Sequence, residues 1–172
     1  MKATFFIILC LLQQFIFGQN NWVKIENNSC DISFSMPQQP NIYDTLDIKY
    51  YNTSIDTNIV FQVHAIHNEQ LDDLGDLGDS IWNNFIQQLL IVTNGELTQN
   101  KSVKFCENEH KRGRLIGVRY SQDIYYFMFI NTFINDENLI VQSIVIPQTK
   151  LPSAIALKNK FFNSLKCEEN ED

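Results

Sequence analysis

The chain gathers its strongest hydrogen-bonding cations in one place. All three arginines, Arg112, Arg114 and Arg119, fall within eight residues, with Lys101, Lys104 and Lys111 close by. A guanidinium is a rigid fork of donors that matches a carboxylate or phosphate, and a neighbouring Lys adds a point charge. In an acidic chain this segregation marks Lys111, Arg112, Arg114 and Arg119 as a candidate docking surface for a protein or a small anionic ligand, with Arg112 and Arg114 at its centre. The competing reading is a hairpin tip charged to stay wet and to blunt edge-to-edge aggregation.

The other chemically capable groups are spaced against joint action. His64 and His67 are three apart on a predicted strand, an odd step that sends their side chains to opposite faces. His110 stands near Glu107 and Glu109, a set that lacks the second His or Cys usual at zinc. The loop with Glu69, Asp72, Asp73, Asp76 and Asp79 offers oxygens suited to calcium, but its spacing is not that of an EF-hand, and it equally suits a solvated loop capping a helix. Cys106 and His110 are four apart, about 13 Å along a strand and too far for a nucleophile and its base. No GxSxG elbow and no CxxC pair occurs. The sequence therefore names no catalytic residue, no metal ligand and no cofactor.

The formal charge of −7 leaves no electrostatic reason to seek nucleic acid or an anionic membrane. Residues 1–18 read as an export signal: Lys2, an apolar run from Phe5 to Leu12 continued by Phe15 to Phe17, and a small Gly18. The run is too short to span a membrane. The expectation is export to the periplasm or beyond, one domain over residues 19–167, and a disordered acidic tail over 168–172. In an oxidising compartment Cys30, Cys106 and Cys167 allow one disulfide. Cys30–Cys167 is one expectation, and no bridge is the other.

The elements that must position these residues centre on Ile124–Pro147, an apolar run, a four-residue turn and a second apolar run, which read as a β-hairpin. Its first strand is apolar on both faces and must be covered on both. Before it, strands are expected at Cys30–Met36, at Thr45–Tyr51 with Leu46, Ile48 and Tyr50 inward, and at Ile59–His67 with Ile59, Phe61, Val63 and Ala65 inward. Trp22–Ile25 is a short edge element, and Asn52–Asn58 supplies turns. A helix from Asp79 or Ser80 to Gly95 follows, with Trp82, Phe85, Ile86, Leu89, Leu90 and Val92 on its apolar stripe and uncharged Asn83, Asn84, Gln87 and Gln88 opposite. Two more strands, Thr98–Glu107 and Arg114–Ser121, precede the hairpin, and a helix over Leu151–Lys166 closes the domain. Consecutive strands argue for an antiparallel sheet, so the expected class is α+β: six or seven antiparallel strands with a helix on either face, a three-layer sandwich.

Phe34-Ser35-Met36-Pro37 closing an early strand, Gly117-Val118-Arg119-Tyr120 before Ile124-Tyr125, and the terminal Phe161-Phe162-Asn163-Ser164-Leu165 carry a likeness over nearly the whole mature chain. In these the sequence resembles the PsbP-like superfamily, which includes a photosystem extrinsic subunit, a Ran-binding import factor and exported bacterial proteins. The resemblance implies an antiparallel sheet between helices and a role in binding or assembly rather than catalysis. No family residue transfers by position. The functional expectation is an exported, non-catalytic binding or assembly domain. The alternatives are a cell-envelope hydrolase or transferase without a local motif, and a calcium-responsive surface protein using Asp72 to Asp79.

Overall fold

The computed structural model describes residues 22–45, 47–67, 79–104, 112–121, 123–135 and 137–167. The expected leader at 1–18, the acidic loop from Glu69 to Asp76, the segment with Cys106, Glu107, Glu109, His110 and Lys111, and the tail at 168–172 lie outside them. Strands β1 (Val23–Asn27), β2 (Ile32–Met36), β3 (Asn41–Asp44), β4 (Ile48–Ile55) and β5 (Ile59–His67) precede helix α1 (Asp79–Thr93). Then come β6 (Glu96–Lys104), β7 (Arg112–Ser121), β8 (Tyr125–Asn135), β9 (Asn138–Pro147), a 3-10 turn (Gln148–Lys150), helix α2 (Leu151–Phe162) and β10 (Lys166–Cys167). Seven strands pair in the order β3-β4-β5-β9-β8-β7-β6 and three in the order β1-β2-β10, every pairing antiparallel. The class is α+β, mostly sheet.

The central hairpin is β8–β9, in continuous register from Asn135 opposite Asn138 to Tyr126 opposite Pro147. Its first strand is largely apolar on both faces because adjacent residues serve different cores. Phe129 and Phe133 join the larger cluster, with Phe34, Phe61, Ile144 and Phe161. Ile130 joins a smaller one with Ile86 of α1 and Ile116 and Val118 of β7. In the larger core the Phe61 ring meets Phe161 edge-on at 5.3 Å and Trp22 edge-on at 5.9 Å. Gln142, fully buried there, is satisfied: Asn131 Nδ2 donates to its Oε1 at 3.3 Å, and its Nε2 donates to the Phe161 carbonyl at 3.2 Å.

Helix ends follow from their residues. Pro152 sits in the first turn of α2, where no amide hydrogen is needed. At the other helix, Asn94 turns left-handed with φ 48°, its amide donates to Ile91 O, and the Gly95 amide donates back to Leu90 O. A Cβ on Gly95 would stand 2.6 Å from Val118 Cγ1 and 2.9 Å from Arg119 O, so glycine is required where α1 turns onto β7.

Several expectations need correction. Strands β3 and β10 are additional, and α2 stops at Phe162 rather than Lys166. In β4 the inward residues are Tyr51 and Thr53, while Ile48 is 41% exposed. The cause is the turn: Asp56 and Thr57 are both left-handed, Asn58 N donates to Ile55 O, and the three-residue connection Asp56-Thr57-Asn58 sets Ile55 opposite Ile59. Odd-numbered residues of β4 must then join Phe61 and Val63 inside. Val92, expected on the buried stripe of α1, is 82% exposed. Cys30 is a buried free thiol while Cys167 is disulfide-bonded, which overturns a Cys30–Cys167 bridge.

Candidate functional site

β7 carries the arginines, and its two-residue period divides them. Arg114 shares parity with Ile116 and Val118, the residues packed against Ile86, whereas Arg119 lies opposite Phe127 and shares parity with Gly117, whose missing Cβ faces Phe129. The two project to opposite faces, roughly 17 Å apart along the strand. Arg114 Nη1 donates to Ser102 Oγ at 3.0 Å. Arg119 is paired with Glu96 and lies over the Tyr125 ring, 5.3 Å from its centroid. Arg112 occupies the first register position of β7, opposite Lys104 and Ile134.

Register joins Arg114 to residues that periodicity placed elsewhere. Directly opposed side chains in antiparallel strands share a face. The pairings run Tyr43–Tyr50–His64–Val141–Thr132–Arg114, one transverse row across six strands of the large sheet. At about 4.8 Å per strand it spans roughly 24 Å. The next row along the strands begins Asn41–Asn52–Gln62–Ser143 and ends under α1 at Ile130 and Ile116. Both rows alternate with Tyr51, Phe61 and Val63, so they face away from the larger core.

At the β3 end this face is aromatic and amide-rich. Tyr43 is 60% exposed and stacks on Tyr50 at 5.9 Å with rings 28° apart, and His64 meets Tyr50 edge-on at 4.6 Å. Gln62 Nε2 donates to Tyr50 Oη at 2.7 Å, and Ser143 Oγ donates to Gln62 Oε1 at 3.1 Å. Beside these rows lies a cavity of about 320 Å³ walled by Gln38, Gln39, Asn41, Asn52, Ser54 and Thr57. Gln38 Nε2 is tied to the Ser54 carbonyl at 3.0 Å. Thr57, at the cavity's rim, holds φ at 59°, a strained conformation for a β-branched residue.

The chain superimposes on cyanobacterial PsbP (CyanoP) from Synechocystis sp. PCC 6803 with a TM-score of 0.66 and 12% identity, covering 87% of this chain and 94% of that one. The fold is PsbP-like. A structure from Bacteroides thetaiotaomicron is similar with a TM-score of 0.50 and 13% identity, covering 87% of this chain and 49% of that one. No protein-family model and no curated protein sequence matches the chain.

Within the PsbP-like sheet the polar face holds its groups neutral. Burial lowers the His64 pKa from its ordinary 6.5, favouring the uncharged imidazole. Burial likewise raises the Tyr50 phenol, more than the hydrogen bond from Gln62 lowers it. Ser143 donates to an amide oxygen, which cannot take its proton, so this chain of hydrogen bonds orients groups without activating a nucleophile. The charges nearby are paired, Lys49 with Asp44 at 3.3 Å and Lys150 with Asp56 at 3.9 Å. The second sequence histidine, His67, lies near Asn138 and Glu137 at the strand end, apart from His64.

Sequence periodicity missed this face because it assigned Ile48 and Tyr50 to the core. The available signal was the turn at Asp56-Thr57-Asn58, which fixes parity between β4 and β5. The same parity argument that separated His64 from His67 also separates Arg114 from Arg119.

Proposed function

We propose that this chain is an exported, non-catalytic binding or assembly domain that engages its partner through the face running from Tyr43 to Arg114. One observation carries the reading: a single register row joins an exposed tyrosine stack, a neutral histidine and an arginine on one side of the large sheet, with Thr132 buried between the histidine and the arginine. Aromatic and arginine side chains are the types enriched where proteins bind partners. The alternation of the two cores along β8 supports a three-layer arrangement, with α1 and α2 on opposite sides of the sheet and the face beside α1 left to recognition. In this reading Arg114 forms the basic end of the face, and Arg119, tied to Glu96, projects to the opposite side.

Export rests on the apolar leader at 1–18, and no helix among the described residues is long and apolar enough to cross a membrane. The binding role accords with the PsbP-like fold, though fold alone does not dictate activity. The test is retention of components from the native envelope fraction on the immobilised mature domain. Retention is expected to fall for Tyr43→Ala and for Arg112→Glu/Arg114→Glu, each checked for fold by circular dichroism. Equal retention by wild type and both variants would place recognition on another surface.

A further inference from the structure

We infer that the cavity at the β3 end of this face is a binding site for a neutral saccharide. The inference rests on reading the face as a binding surface and names the ligand class. The described residues lining the cavity are Gln38, Gln39, Asn41, Asn52, Thr53, Ser54, Thr57 and Val60, with no ionisable group among them and with the Thr53 side chain turned to the core. Amides and hydroxyls each donate and accept, which is what a ring of sugar hydroxyls requires. Among the described residues an anionic ligand would find no cation in the wall, and Lys150 at the Asp56-Thr57 turn already faces Asp56.

The apolar side of a sugar has its own partner. Asn41 and Tyr43 are alternate residues of β3, so the amide and the ring share a face about 7 Å apart. Tyr43 and Tyr50 stack nearly parallel, and Tyr43 leaves much of its ring to solvent. The electron-rich face of such a ring attracts the polarised C–H edges of a pyranose. At about 320 Å³ the cavity is at the small end of ligand sites and matches one or two sugar rings, with the tyrosine pair extending the site along the strand. The strained φ of Thr57 at the rim is the kind of backbone outlier that clusters at ligand sites. Gln62, fixed between Tyr50 and Ser143, holds the phenol in place from beneath.

The experiment is titration of the isotope-labelled mature protein with an array of neutral oligosaccharides, including maltotriose, cellotriose and chitotriose, followed by the side-chain amide resonances of Gln38, Asn41 and Asn52. At least one neutral glycan is expected to shift these resonances saturably. Tyr43→Ala, exposed enough to leave the fold intact, should weaken binding about tenfold or more, and Asn41→Ala/Asn52→Ala should abolish it. Absence of saturable binding across the array overturns the saccharide assignment. If envelope proteins are nevertheless retained in a Tyr43-dependent manner, the face remains a binding surface with a polypeptide ligand. If neither saccharide nor protein binding depends on Tyr43, both readings fall. Shifts unaffected by Tyr43→Ala and by Asn41→Ala/Asn52→Ala place the saccharide elsewhere and also overturn the assignment.

Discussion

Along β5 two chemistries alternate. Ile59, Phe61, Val63 and Ala65 are buried among aromatic rings from β2, β8 and α2, whereas Gln62 and His64, between them, meet a phenol, a serine hydroxyl and a tyrosine ring. One strand thus serves a dry core and a wet face a side-chain length apart. The dry side is close-packed and apolar, the environment that supplies most folding free energy. The wet side carries hydrogen-bonding groups held neutral and in place, an exposed ring and a strained turn. The contrast teaches that the stabilising core and the proposed recognition surface are divided here by the pleat of the sheet rather than by separate segments of the chain.

The division can be broken from either side. Phe161→Ala should be the largest perturbation, about 3–5 kcal/mol lost in urea denaturation, because it empties the meeting point of Phe61, Phe162 and α2. Gln142→Leu should follow at about 1–3 kcal/mol, since it removes the acceptor of the Asn131 amide inside the same core, while the Phe161 carbonyl keeps its bonds from Ser164. On the wet side the sign is expected to change. Thr57→Gly relieves a left-handed β-branched residue and should raise stability by up to about 1 kcal/mol while weakening ligand binding, a trade read by denaturation and titration together.

The pH dependence of the wet side is gentler. His64 has a folded pKa below its unfolded value, so the unfolded chain binds more protons as pH falls below 6.5, and the native state loses stability from there downward. Denaturation midpoints across pH 7 to 5 should fall less steeply in His64→Gln than in wild type. An unchanged slope would mean that His64 titrates alike in both states. Smallest of all, Tyr43→Ala should leave stability within about 0.5 kcal/mol of wild type, since its ring is mostly in water, although it is expected to weaken binding. A loss much larger than that would show Tyr43 to be structural and erase the contrast.

Much of the larger core was legible in the sequence. Ile59, Phe61, Val63 and Ala65 alternate cleanly, and their burial follows from period alone. The central hairpin was legible for a similar reason, as both its strands are long, apolar and separated by a short polar turn. The wet face was not. Tyr50 and Ile48 are apolar at alternate positions and so resemble core residues, while the buried Thr53 is polar. Strand β3 is only four residues long with every residue exposed, so it carries no burial period to detect. The basic cluster was visible as composition, but proximity in sequence is not proximity on a pleated strand, and Arg119 faces the other way from Arg114.

What the sequence by itself determined are local properties: the apolar periods that make β2, β5, β8, β9 and α2, a turn at Asp56-Thr57-Asn58, the helix stop at Gly95, and the scarcity of charge. Only the tertiary structure decided which residues share a face. Tyr43 and Arg114 are 71 positions apart in the chain yet stand in one row, because that row is set by five successive strand registers. A shift of one residue in any of them would turn the far part of the row to the opposite side. Those registers are fixed jointly by the turns and by the demand that every inward residue reach the common core. That demand is a property of the assembled sheet and of no single stretch of sequence.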